Sequence, residues 1–196
     1  MKELHQISRR GIVGTAAALV CGVGLASAQD PASPAKPPPA EPAPPGLRTV
    51  ILVRHAEKAA DDPRDPSLSE AGKLRVAALV RLLGETRITH VWTSEWKRAK
   101  ETAAPVVAKH QLVPVEVPGR DPTALATRVK ELPAGSISLI VGHSNTLPSV
   151  AKALGMQLTN LGGGTDLKDD EYDRFVVITL GSEKEPGSLL EMRYGP

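Results

Sequence analysis

Cysteine is nearly absent. The 196-residue chain has one, Cys21, and it falls inside an N-terminal run that reads as a leader, behind Val20, a poor residue ahead of a lipidated cysteine. A processed chain would hold no disulfide and no thiolate nucleophile. Aromatic residues are also scarce: two Trp, two Tyr and one Phe. The core must then be filled by Val, Leu, Ile and Ala, which suits helices packed on an apolar parallel sheet. Charge of one sign is missing as well. Residues 1–28 carry Lys2, Arg9 and Arg10 against Glu3, and the remainder holds 21 bases and 21 acids. The basic balance is a property of the leader, so nothing points to nucleic acid as a partner. No apolar run approaches the ~20 residues needed to span a bilayer.

The leader itself has three parts. Ser8-Arg9-Arg10-Gly11 supplies a twin arginine, residues 12–25 are uncharged and small or apolar, and Ala26-Ser27-Ala28 fits an A-x-A cleavage site. Residues 1–28 therefore read as a signal peptide of twin-arginine type, a receptor-read address rather than an anchor. The general secretory route stays open. The expectation is an exported chain, periplasmic or secreted, with no stable membrane insertion once the signal is removed. Residues 29–46 form a linker in which 31–46 read PASPAKPPPAEPAPPG. Proline lacks a backbone donor, so this stretch is a semi-rigid spacer of roughly 50 Å at about 3.1 Å per residue.

The globular domain occupies 47–196 and alternates strand with helix. Apolar runs predict strands at 49–53, 90–93, 113–117, 136–141, 175–180 and 189–194, the last two as a hairpin. Helices are expected at 69–83, with Ser69 as cap and Ala71, Leu74, Ala77, Ala78 and Leu82 on one face, and at 97–110, 123–132 and 146–154. Asp121 or Thr123 would cap the third. Repeated βα units imply an α/β fold, a three-layer αβα sandwich with a mainly parallel sheet.

In such sheets ligands bind beyond the carboxyl ends of strands. Two histidines sit there: His55 after VILV and His143 after SLIVG. If their strands are neighbours, the two imidazoles face each other over one crevice. Arg54 precedes His55, and Arg98 follows the strand at 90–93. A guanidinium fork suits phosphate oxygens. By itself Arg98 reads as a solvated helix residue paired with Glu95 or Glu101; convergence with the histidines changes that.

LVRHAEK at 52–58, TSEWKRAKETA at 93–103 and VGHSN at 141–145 resemble the signatures of the histidine phosphatase superfamily, also called phosphoglycerate mutase-like, and the short bacterial members in particular. The resemblance implies that His55 takes the phosphoryl group while Arg54, Arg98 and His143 surround it. No metal and no cofactor are expected, because cationic donors meet the charge on the phosphoryl oxygens. His143 would serve protonated, its pKa raised by the phosphate dianion. Lys58 and Ser144 are further candidates for phosphate contact, and Thr93 is as well placed to end a strand as to donate.

The proton donor to the leaving oxygen is open. Family members often place an acid after the third strand, where Glu116 and Asp121 stand; Asp121 also fits an ordinary helix cap. Glu57 more plainly balances neighbouring cations. His90 and His110 look structural, Gly162-Gly163-Gly164 lacks a phosphate-cradle signature, and Asp166, Asp169, Asp170, Glu171 and Asp173 read as a solvated acidic loop. Trp92 and Trp96 are candidates for the site entrance, Trp92 leaning to the core. The expected function is hydrolysis of a small phosphorylated substrate through a phosphohistidine. The alternatives are a noncatalytic phospho-ligand binder of the same fold and a phosphomutase.

Overall fold

The computed structural model describes residues 47–118, 121–181 and 186–195. The expected leader at 1–28 and spacer at 29–46 lie outside the described residues, as do 119, 120, 182–185 and 196.

Six strands and four helices follow in the order β1 (Arg48–Arg54), α1 (Glu70–Leu83), β2 (His90–Thr93), α2 (Lys97–His110), β3 (Val115–Glu116), α3 (Pro122–Lys130), β4 (Ile137–Gly142), α4 (Thr146–Ala153), β5 (Arg174–Leu180) and β6 (Ser188–Arg193). One sheet holds them all in the spatial order β3-β2-β4-β1-β5-β6. The first four are mutually parallel; β5 runs antiparallel to β1, and β6 antiparallel to β5. The sheet is mainly parallel, as expected, with an antiparallel hairpin at one edge.

The direction of travel fixes the layers. From β1 the chain moves to β2 and then β3, placing α1 and α2 on one face, where they pack with Ile51, Val53, Leu139 and Val141. It then reverses through β4 to β5, placing α3 and α4 on the other face over Val50, Leu52, Ile140 and Val176. Strands β1 and β4 are neighbours, yet their following helices leave toward opposite faces. Their carboxyl ends therefore diverge and open a crevice, the switch point at which such sheets take ligands. Antiparallel β5 begins at this same end, with Val53 opposite Phe175, so the segment before it also crosses the crevice.

Two details differ from expectation. Helix α1 is turned relative to its predicted face: Gly72, Val76, Ala78, Leu79 and Leu83 are buried, whereas Leu74 and Leu82 are 60% and 46% exposed. Gly72 causes this. A Cβ there would lie 2.4 Å from the Glu57 carbonyl oxygen, so the glycine is the point of closest approach and the helix turns to bring it inward. Strand β3 spans two residues rather than five. Pro114 and Pro118 flank it without backbone donors, and Val113 is 86% exposed. The caps match the expectation: the Ser69 side chain accepts from Gly72 N, and Asp121 rather than Thr123 caps α3.

Candidate active site

Backbone pairing brings the two histidines together. The N–H of His55 donates to the Gly142 carbonyl at 2.9 Å, extending the β1–β4 ladder by one residue and leaving His143 beside it. The imidazole centroids lie 5.1 Å apart, edge to face. Gly142 lets α4 start close to the strand end, since a Cβ would lie 2.7 Å from the Leu147 and Thr146 side chains and force them to shift. The His143 N–H then donates to Thr146 Oγ1 at 2.7 Å as α4 begins.

The His55 ring has a fixed tautomer. Its Nδ1 lies 2.8 Å from the Ala56 carbonyl oxygen, which can only accept, so Nδ1 carries the proton and Nε2 keeps its lone pair. The Ala56 N–H in turn donates to Thr102 Oγ1 at 3.0 Å. His55 is 3% exposed. Burial pushes its pKa down to about 3; the Ala56 hydrogen bond is the next-largest effect and opposes it, and His143, Arg54 and Arg98 add smaller lowering effects. His143 is pushed down to about 4 by burial and then Arg98, with Glu95 acting the other way. With these values both rings are neutral at pH 7.

Both arginines lie against this pair. Arg54 is 5% exposed, and its Nη1 donates to three carbonyls of the segment before β5: Lys168 at 2.9 Å, Asp169 at 3.0 Å and Glu171 at 3.0 Å. Its guanidinium stacks on the Tyr172 ring at 4.1 Å, and Tyr172 also meets the His55 ring at 5.9 Å. Arg54 Nε, Arg98 Nε and Arg98 Nη1 are buried without hydrogen-bond partners among the described residues. Arg98 is not the solvated helix residue that its sequence position alone suggests, since its Nε and Nη1 are buried. It stacks on half-buried Trp96 at 5.0 Å and lies 3.7 Å from Asp65, while Glu101 accepts the Leu68 N–H at 2.8 Å.

The remaining candidates separate cleanly. Ser94, which sequence reasoning passed over, has its Oγ 2.8 Å from His143 Nε2 and is 4% exposed. Ser144 is half-buried, its carbonyl accepting from Leu167 N at 3.0 Å. Lys58 is exposed and joined by a backbone bridge to Leu68; none of the site's hydrogen bonds or ring contacts involves it. Thr93 is buried at the end of β2 and takes the Val117 N–H on its carbonyl at 2.9 Å.

Two of the three acids are engaged elsewhere. Glu57 Oε1 takes Arg75 Nε at 2.8 Å and Nη2 at 2.6 Å, and Glu116 pairs with Lys100 at 2.6 Å. Asp121 lines a recess with Ser94, His143, Trp92 and Pro118. Its Oδ1 also accepts the Ala124 N–H at 2.9 Å, so it is at once a cap and a wall of the site. Trp92 is 3% exposed and belongs both to the core and to this recess.

The acidic run before β5 is more than a solvated loop. Glu171 is 6% exposed and pairs with Arg174 at 2.5 Å and Arg193 at 3.2 Å. Arg174 also pairs with Glu191, and Arg193 with Asp173. Sequence reasoning saw the charges but not the basic partners on β5 and β6, which only the hairpin brings near. Among the described residues no group of three His, Cys, Asp or Glu side chains is placed to hold a metal ion.

Residues 50–120 match the profile of the histidine phosphatase superfamily, branch 1. No curated protein matches the sequence. Solved structures share the fold at low identity. An Escherichia coli K-12 protein assigned as an alpha-ribazole-5'-P phosphatase is 17% identical with a TM-score of 0.60, over 76% of this chain and 97% of its own. A mycobacterial glucosyl-3-phosphoglycerate phosphatase is 16% identical with a TM-score of 0.56, over 76% of this chain and 100% of its own. The protein histidine phosphatase SixA, complexed with tungstate, is 18% identical with a TM-score of 0.51, over 74% and 96%.

Proposed function

We propose that the chain, whose residues 50–120 match the histidine phosphatase superfamily, is a member of that superfamily and hydrolyses a small phosphomonoester through a phosphohistidine at His55. The observation that carries this reading is the His55 ring itself: buried, neutral, and with Nδ1 tied to Ala56 so that Nε2 presents a lone pair beside two guanidinium groups.

In the first step Nε2 attacks phosphorus and the bond from phosphorus to the leaving oxygen breaks. A neutral imidazole is a competent nucleophile, and a covalent intermediate divides one hard step into two. The three unpartnered N–H groups of Arg54 and Arg98 meet the charge on the phosphoryl oxygens. The proton brought by the phosphoryl group passes to His143, whose pKa rises beside the dianion. In the second step water attacks phosphorus, the P–N bond breaks, and inorganic phosphate leaves with His55 restored. The donors proposed to meet the phosphoryl oxygens are imidazole and guanidinium groups.

The twin-arginine leader and the proline-rich spacer support action outside the cytoplasm, in the periplasm or beyond it. That setting also favours hydrolysis over mutase chemistry, which needs cytoplasmic sugar-acid phosphates. Incubation with a chromogenic aryl phosphate, followed by a quench into alkali, tests the reading. A base-stable, acid-labile phosphoryl group on His55 and loss of turnover in His55→Ala are expected. Phosphate binding without turnover in the wild type would make the protein a binder, and full activity in His55→Ala would remove the proposed chemistry.

A further inference from the structure

The segment between β1 and α1 carries one backbone bridge, yet it is tied closely by side chains. Asp61 accepts from Ser67 N at 3.1 Å and Ser67 Oγ at 2.5 Å, and Asp62 accepts from Arg64 N at 2.8 Å and Asp65 N at 3.2 Å. Asp65 then reaches across to α2. The first residues of a helix have unpaired N–H groups that a cap side chain normally takes. The α2 cap residue is Trp96, which offers no acceptor, and Asp65 Oδ1 takes the Lys97 N–H at 2.9 Å instead.

The same oxygen lies 3.7 Å from Nη1 of the next residue, Arg98. That separation is a charge contact but too long for a hydrogen bond. The guanidinium is thus held by the Asp65 charge on one side and the Trp96 ring on another, while its buried Nε and Nη1 stay without hydrogen-bond partners. His55, His143 and Arg54 also lie within reach of its charge.

We propose that Asp65 is a positioning residue for phosphoryl transfer. It fixes the first turn of α2 and aims Arg98 by charge alone, leaving the arginine's donors for the phosphoryl oxygens. The inference rests on the phosphatase reading. A misplacement of about 1 Å by a residue outside the chemistry can cost up to about a hundredfold in rate, so the effect belongs in kcat rather than in KM.

Two substitutions separate the cap from the charge. Asp65→Asn keeps an oxygen for the Lys97 N–H and removes the charge; Asp65→Ala removes both. Each is measured with an aryl phosphate in the wild-type and Arg98→Ala backgrounds, with melting temperatures and with His55→Ala alongside. For Asp65→Asn the expected result is wild-type melting, unchanged KM and a kcat lower by about tenfold or more. Asp65→Ala should also melt earlier. In the Arg98→Ala background Asp65→Asn should cost nothing further, because it acts through a group no longer present. Full kcat in Asp65→Asn, early melting of that variant, or an equal loss in both backgrounds would overturn the inference. Activity surviving His55→Ala would instead overturn the phosphohistidine reading, whatever Asp65 does.

Discussion

Thr102 holds the peptide that orients His55: its Oγ1 accepts the Ala56 N–H at 3.0 Å, and the Ala56 carbonyl accepts Nδ1–H of the ring at 2.8 Å. Thr102 also donates to the Arg98 carbonyl at 2.7 Å, so one fully buried hydroxyl links the proposed nucleophile to the helix carrying Arg98. Thr102→Val keeps the shape and leaves the buried Ala56 N–H unpaired, a penalty of about 1–3 kcal/mol. Chemical denaturation should show that loss. The kcat should fall with it as the ring gains freedom, and Thr102→Ser should restore both.

The parts legible in sequence are those set by local pattern. Continuous apolar runs mark β1 and β4, and a histidine directly after each falls at the crevice once the strands pair. Ser69 is readable as a cap because its partner lies three residues on. Roles that depend on distant segments were not readable. Thr102 serves Ala56 across 46 positions, and Arg54 meets Glu171 across 117. The acidic run at 166–173 reads as solvated until β5 is known to be antiparallel, which brings its start to the crevice and its acids to Arg174 and Arg193. The α1 face was misread because Gly72 has no hydrophobicity to count, although its missing Cβ is what lets the helix touch the Glu57 backbone.

The rate should depend on pH in a way set by neutral histidines. The free enzyme is competent while His55 stays unprotonated, and its pKa of about 3 places that limit in acid. The proton for His143, whose own pKa is about 4, comes with a monoanionic substrate, and a phosphate monoester loses that proton near pH ~6. A plot of kcat/KM should therefore form a bell between roughly pH 3 and 6, falling as the substrate becomes a dianion. Replacing His143 with Asn should lower the rate across the bell. An optimum above pH 8 would contradict this assignment.

Stability should move with the same groups. In the unfolded chain each histidine titrates near ~6.5, while His55 and His143 fold with values of about 3 and about 4. Between those limits the unfolded state binds more protons, so stability rises with pH and is fully present above pH ~6.5. Melting temperature should fall as pH drops from 7 to 4. His55→Asn should flatten that slope. Inorganic phosphate, binding only the folded state, should offset it in proportion to concentration.

Arg54 has two duties that substitution can separate from those of Arg98. Its Nη1 secures three carbonyls of the segment before β5, and its guanidinium stacks on Tyr172. A lysine keeps the charge but cannot serve three acceptors and a ring face at once. Arg54→Lys should lower kcat by about a hundredfold or more, as expected for loss of a preorganised donor. It should also speed amide exchange across residues 167–173. Arg98→Lys should match it in rate while leaving exchange in that segment unchanged.

Asp121 is the acid whose two placements compete, as cap of α3 and as a wall of the recess beside His143. Asp121→Asn preserves an acceptor for the Ala124 N–H and removes any proton to give, whereas Asp121→Ala costs the cap about 1 kcal/mol. If the carboxyl supplies the proton, Asp121→Asn should spare substrates with leaving groups of low pKa and slow alkyl phosphates strongly. If it is a cap alone, the two substrate classes should stay in wild-type proportion and only Asp121→Ala should melt earlier. Its engaged oxygen and its exposure favour the second outcome. A nitrophenyl phosphate and an alkyl phosphate assayed side by side on both variants decide between them, because the ratio of rates reports the proton and the melting temperature reports the helix.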